Sequence, residues 1–134
     1  MKAEYRIQIP TSDELGRPLH RHLPMAAHQW LHDSHPRLFE QTWIEGPHQN
    51  AAGAHHHLHT IADESPESDS YVKQLAAHLG EAAGVPSVAA SKHGKNGLES
   101  WMIANRKYVP GQGAQPEALE PPEEVFVPVA PAFR

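Results

Sequence analysis

One sharply bounded helix, between Ser65 and Gly84, constrains the fold of this chain more than any other feature. Ser65 can cap the helix, Pro66 suits its first turn, and Gly84 can end it in the left-handed conformation. An apolar stripe at helical spacing lies between these ends and consists of Val72, Leu75, Ala76, Leu79 and Ala83. Because a helix with one apolar stripe must pack against another layer, we expect the neighbouring segments to supply a sheet.

Short segments of strand-forming residues flank this helix on both sides. They are residues 4–9, 38–44, 55–61, 88–91 and 98–104, which alternate in polarity or are rich in β-branched and aromatic residues. Gly46-Pro47 should end the second segment and open a loop over residues 46–53. Asn96-Gly97 predicts a hairpin between the last two segments, with Lys92, His93 and Lys95 in a solvated turn.

A first helix, shorter than the one at Ser65, completes the pattern. Pro24 suits its first turn, Ala27, Trp30 and Leu31 supply its buried stripe, and Pro36 limits it to about residue 34. The order is therefore β-α-β-β-α-β-β. With right-handed crossovers, this order favours an α+β, two-layer, ferredoxin-like (split βαβ) sandwich. Both helices would cover one sheet face, leaving the other to solvent or to a partner.

The composition of the chain changes near its C-terminus, which predicts a domain over residues 1–109 and an arm over residues 110–134. The arm contains six prolines and is acidic before it becomes apolar. Its apolar residues are candidates for binding a protein partner, for instance at a sheet edge, and they are Val125, Phe126, Val127, Val129 and Phe133. The alternative is a free tail.

Charge and composition narrow the classes of function. The formal net charge of −5 argues against a large nucleic-acid surface, and no apolar run is long enough to cross a membrane. The chain has no cysteine, so it has no disulfide and no thiolate ligand. Its N-terminus has no apolar leader. These features predict a cytoplasmic protein, or a component of a particle that is assembled inside the cell.

Four histidines lie within the five residues His55 to His59, on a predicted strand. Alternate side chains on a strand share a face, so His55, His57 and His59 would lie about 7 Å apart on one side. Neutral imidazoles bind divalent metals, and a catalytic site needs about three protein ligands. This pattern predicts a candidate metal site. The alternative is a solvated strand face on which histidine is tolerated.

His57-Leu58-His59 on a central strand also resembles the HUH endonucleases, which include rolling-circle replication initiators, relaxases and single-strand transposases. The resemblance implies a ferredoxin-like core, a divalent metal on the histidine pair, and a helical tyrosine that attacks a DNA phosphate. Tyr71, at the start of the second helix, is the candidate catalytic residue. Nucleic acid would be a partner only under this alternative.

The sequence predicts, first, a small non-enzymatic interaction or assembly protein. Its uncovered sheet face or edge and its apolar arm would bind further copies of itself or a larger complex, including a virion. The alternative is a metal-dependent enzyme, most concretely a nickase of single-stranded DNA. A third hypothesis is pH sensing, because protonated histidines on a shared strand face repel one another.

Overall fold

A computed structural model of the chain describes residues 1–50 and 53–114, apart from the side chain of Asn50. The described residues form five strands and two helices in the predicted order. The elements are β1 (Lys2–Pro10), α1 (Leu23–Ser34), β2 (Gln41–Asn50), β3 (Gly53–Asp63), α2 (Pro66–Ala83), β4 (Ser87–Gly94) and β5 (Gly97–Ala104).

The five strands form one antiparallel sheet in the order β2-β3-β1-β4-β5. Both helices pack on the same side of it, with α1 against β2 and β3 and α2 against β1, β4 and β5. The chain is therefore α+β, and the predicted ferredoxin-like split βαβ arrangement is confirmed. The fifth strand extends the sheet at the edge next to β4.

The core lies between the sheet and the two helices. Tyr5, Ile7 and Ile9 of β1 are fully buried, as their alternation predicts, and Leu58 and Thr60 of β3 point to the same side. The Thr60 hydroxyl donates to the backbone oxygen of Gln41, so this buried polar group is satisfied. The stripe of α2 predicted from the sequence is buried against these residues.

Helix α2 begins and ends where the sequence predicts. The Ser65 hydroxyl accepts a hydrogen bond from the backbone N–H of Ser68 at 3.1 Å. Gly84 ends the helix with φ +66°, in the left-handed region. A side chain at this position would meet the backbone of Gly113, which crosses close behind the helix end. Glycine is thus required here by both conformation and space.

Strand β2 departs from its prediction. It covers Gln41–Asn50, so it begins later than residue 38 and continues past Gly46-Pro47. A bulge between Glu45 and His48 absorbs these two residues, and Gly46 adopts φ +109° there. The predicted loop over residues 46–53 is wrong for this reason. Phe39, predicted in the strand, instead lies in the turn before it and is fully buried.

The β4–β5 hairpin is also tighter than predicted. Gly94 pairs with Gly97, so the turn consists only of Lys95 and Asn96. Lys92 and His93 are strand residues rather than turn residues, and Lys92 points into the helix side of the sheet, where its side chain is buried. The expectation of a solvated Lys92 is therefore wrong.

The chain after β5 folds back onto the domain. The Ala114 N–H donates to Asp13 Oδ2 at 3.3 Å, the Gly111 N–H donates to Glu14, and the Tyr108 hydroxyl donates to Glu14. Residues 110–114, which the sequence assigns to the arm, thus contact the domain. The remainder of the predicted arm lies outside the described residues. Among the described residues, no helix is long and apolar enough to span a membrane.

Candidate functional site

The side of the sheet opposite the helices, called here the open face, contains most of the strand histidines. Five side chains from the five strands form one row across it, in register. From one edge to the other they are Trp43, His59, Arg6, Ser91 and Ser100. Leu98 and Met102 of β5 also lie on the open face and are 65% and 68% exposed.

Trp43, His59, Glu4 and Glu45 form a compact group, the Trp43 cluster, on β1, β2 and β3. The Trp43 and His59 rings are stacked, 5.1 Å apart and 4° from parallel. Nδ1 of His59 lies 3.0 Å from Oε2 of Glu4 and is hydrogen-bonded to it. Nε2 of His59 lies 3.2 Å from Oε1 of Glu45 without the alignment of a hydrogen bond. The Trp43 indole N–H donates to Glu45 at 3.1 Å.

This arrangement places negative charge around an aromatic surface. The hydrogen bond from Trp43, followed by the charges of His59 and His48, lowers the pKa of Glu45, so its carboxylate is ionised at neutral pH. His59 is only 7% exposed, whereas the Glu4 and Glu45 carboxylates are about half exposed. Two accessible carboxylates beside an indole are a chemical environment that attracts an organic cation.

His57 adjoins the Trp43 cluster and is kept neutral. Its pKa is lowered first by burial and then by the positive charges of Arg6 and of the histidines around it. Its ring lies 4.8 Å from that of His48 and 6.1 Å from that of His59. Its Nε2 is buried and has no hydrogen-bond partner within the described residues.

The predicted metal site on His55, His57 and His59 is not assembled in this arrangement. His59 is occupied by two carboxylates, and His55 Nδ1 lies 3.2 Å from the backbone oxygen of Gly53. Within residues 1–50 and 53–114, no three histidine, aspartate or glutamate side chains converge as a metal site requires. A divalent metal on these histidines stays a prediction from the sequence.

Tyr71, the candidate nucleophile of the HUH-like alternative, lies on the other side of the sheet. It belongs to α2, and its ring packs edge-on against Phe39 and His35. His57 and His59 lie on the open face, so the structure does not bring the tyrosine to the histidine pair. The constellation implied by that resemblance is not formed.

A cavity of about 320 Å³ lies at the end of the open face, beside His55. Its wall includes Gln8 of β1, Asp13 and Glu14 of the following loop, and Ser87 of β4. Its volume is at the lower end of the range for small-molecule sites. Strand β3 connects the cavity to the Trp43 cluster. His55 at the cavity and His59 in the cluster lie four residues apart on the same face of this strand.

A second charged group, missed by the sequence reasoning, surrounds Lys92. Its Nζ lies 3.1 Å from Asp69, 3.3 Å from Glu64 and 3.6 Å from Glu99, and the residue is 6% exposed. Burial acts to lower the pKa of Lys92, but the hydrogen bonds to Asp69 and Glu64 outweigh it and raise the pKa. The burial of Lys92 could have been predicted by extending the alternation of the strand, because positions 88, 90 and 92 share the buried side of β4.

Tyr5 extends the Lys92 group into the core. Its hydroxyl donates to Asp69 at 2.6 Å. Burial, followed by that hydrogen bond, raises the pKa of Tyr5. Lys92 of β4 and Tyr5 of β1 both contact Asp69 of α2, so this group acts as a structural clamp between α2 and the sheet.

Comparisons with known proteins support the fold. No protein-family model and no curated protein matches the chain. A phage SAM lyase in its apo state is similar, with a TM-score of 0.50 at 13% identity, over 81% of this chain and 91% of that chain. Phage SAM lyase in complex with S-methyl-5'-thioadenosine is similar with a TM-score of 0.49 at 13% identity, over 81% and 92%. At this identity the likeness is one of fold.

The sequence predicts five partner-binding residues in the C-terminal arm. Val125, Phe126, Val127, Val129 and Phe133 all lie outside the described residues.

Proposed function

We propose that this protein binds S-adenosylmethionine (SAM) on its open face and cleaves it, as an enzyme of the SAM lyase kind. The observation that carries the proposal is the fold shared with phage SAM lyase over 91% of that chain. One fold can serve many functions, so the proposal also needs a site whose chemistry suits the substrate.

The Trp43 cluster suits the charge of this substrate. SAM carries a sulfonium cation, and the carboxylates of Glu4 and Glu45 with the face of Trp43 can attract it. The cavity of about 320 Å³ beside His55 offers adjacent space for the nucleoside part.

To catalyse this reaction, the protein mainly has to bind SAM and hold it in a reactive orientation. When a lyase breaks a carbon–sulfur bond of SAM, both bonding electrons go to sulfur, which leaves as a neutral thioether. The remaining fragment either loses a proton from the neighbouring carbon or closes on its own carboxylate, so no water and no second substrate is consumed. A site without a complete nucleophilic constellation is compatible with such chemistry.

The test is to incubate the purified full chain with SAM and to follow SAM and the released thioether nucleoside by liquid chromatography and mass spectrometry. We expect SAM to be consumed, and Glu45→Gln to reduce kcat/KM roughly tenfold, the equivalent of about 1.4 kcal/mol. Glu67→Gln, a matched change at an exposed glutamate of α2, should leave the rate unchanged. Folded protein that leaves SAM intact rejects the proposal.

A second candidate is the assembly function predicted from the sequence, with a second copy of the chain as the partner. The observation that favours it is the open face, which no other element of the described chain covers and on which Leu98 and Met102 are largely exposed. Glu4, Glu45 and Arg6 place charges of both signs on that face, so two copies can be complementary to one another. Either function would operate in the cytoplasm, in agreement with a chain without cysteine.

The assembly candidate is tested by sedimentation of the full chain. We expect an oligomer that dissociates when Leu98→Glu and Met102→Glu are combined. Met25→Glu, an equally exposed position on α1, is the control and should leave the mass unchanged. A wild-type protein that is monomeric at all concentrations counts against assembly and leaves the SAM proposal standing.

A further inference from the structure

A groove of about 790 Å³ runs between helix α2 and the edge strand β5, on the helix side of the sheet. Lys73 of α2 lies on one wall, and Arg106 and Lys107 lie at the end of β5. Ala77 and Ile103 supply apolar surface between them. The groove lies on the helix side of the sheet, and SAM binding does not use it; it shares Met102 with the surface considered for assembly.

The outer edge of β5 borders this groove. Strand β5 pairs with β4 on one side, and on its other side it meets no strand within the described part of the chain. Such an edge presents free backbone N–H and C=O groups, to which a further extended segment can bind. Above it, Lys73 Nζ lies 4.5 Å from the centre of the Trp101 ring.

The described chain stops beside this groove. Lys107 and Glu81 line the groove, and they also line a small gap that reaches Gly113. Ala114 is fixed there by its hydrogen bond to Asp13. The following residues, 115–134, number more than twice the eight residues of β5, so they have the length to run along it.

The sequence of residues 115–134 complements the groove. Its first part has four glutamates and no lysine or arginine, namely Glu117, Glu120, Glu123 and Glu124. The apolar residues Val125, Phe126 and Val127 come next. The groove lining also holds two carboxylates, but each has a partner: Glu81 lies 3.7 Å from Lys107, and Asp69 lies 3.1 Å from Lys92. Lys73 and Arg106 therefore supply positive charge for an acidic stretch, and the apolar surface of the groove suits the apolar stretch that follows it.

We propose that the groove between α2 and β5 binds the chain's own C-terminal segment within the same molecule. The glutamates at 117–124 pair with Arg106 and Lys73, and residues 125–127 lie along the edge of β5. The segment thereby protects an edge strand that would otherwise pair with another chain.

Hydrogen exchange of the full chain tests this proposal. We expect the β5 amides that do not bond to β4 to be protected, and the paired change Val125→Asp with Phe126→Asp to speed their exchange at least tenfold. Met25→Asp, at an exposed apolar residue of α1, which packs on β2 and β3, is the control. Amides of β3 report on folding in every variant. Equal exchange in the wild type and the paired variant overturns the proposal.

Exchanging the charges of the groove and of the C-terminal segment tests the proposed ion pairs between them. Lys73→Glu with Arg106→Glu should remove the protection. The combined changes Glu117→Lys, Glu120→Lys, Glu123→Lys and Glu124→Lys should remove it as well. Combining both sets should restore it. No restoration rejects the proposed ion pairs. Protection that rises with protein concentration overturns binding within one molecule and assigns the segment to the groove of a second copy.

Discussion

Single residues decide which side of this sheet is structural and which is available to ligands. Lys92 lies on the helix side and is enclosed by three carboxylates of the molecule itself, whereas His59 lies on the open face beside carboxylates that solvent reaches. The carboxylates nearest Lys92, Asp69 and Glu64, are largely shielded from solvent by the fold. Those of Glu4 and Glu45 are about half exposed, so a ligand can reach them.

Replacing Lys92 by methionine should be strongly destabilising. Lys92→Met leaves Asp69 and Glu64 facing each other without a cation, in a site where the lysine is 6% exposed. We expect a loss of about 2–4 kcal/mol in the free energy of unfolding, measured with denaturant. Lys95→Met, in the exposed turn, should change it by less than about 0.5 kcal/mol. Similar stability of the two variants would show that Lys92 is not a clamp.

His57 should make the protein less stable in acid. Its pKa is below the ordinary value, so the folded protein binds fewer protons there than the unfolded chain. Its contribution is complete above a pH of about 6.5 and is lost as the pH falls through that value toward the folded pKa. We expect the free energy of unfolding to fall from pH 7 to 5.5, with a smaller slope in His57→Gln.

The control for this pH experiment must be a histidine that lies outside the group of charged residues around His57. Arg6, His48, His55 and His59 all repel its charged form, whereas Glu45 has a lowered pKa and titrates at lower pH. His32→Gln, in the last turn of α1 on the other side of the sheet, should keep the wild-type slope. Equal slopes in the wild type and His57→Gln would contradict the assignment.

Among the helices and strands, local sequence signals were enough to predict the ends of α2 but not those of β2. Ser65 and Gly84 determine the ends of α2 through contacts within a few residues, and such contacts are visible in a sequence. The course of β2 depends on its partner. Gly46-Pro47 is typical of a turn, but pairing with β3 carries the strand through a bulge at that point.

The Ser65 cap should contribute measurably to stability. Ser65→Ala removes the acceptor for the Ser68 N–H. We expect the free energy of unfolding to decrease by about 1 kcal/mol, as measured by thermal or chemical denaturation. Ser70→Ala, at an exposed position in the same helix, should have a smaller effect. If both variants match the wild type, the capping bond does not stabilise α2.

For the whole molecule, the order of elements predicted the fold, because alternating strands and helices leave few right-handed, unknotted arrangements. Asn96-Gly97 predicted that the last two strands pair as a hairpin, and β4 and β5 do so. The site was only partly predictable. Strand alternation correctly placed His57 and His59 together, but Trp43, Glu4 and Arg6 joined them through pairings between strands distant in sequence.

If the open face binds the ligand, nuclear magnetic resonance will detect SAM there. SAM would be titrated into the isotope-labelled full chain while backbone amides and the Trp43 indole N–H are followed. We predict saturable shifts centred on Trp43, His57 and His59, absent in Glu45→Gln and retained in Glu67→Gln. Shifts confined to α2 or the Lys92 group, or no shifts at millimolar SAM, would show that the open face does not bind SAM.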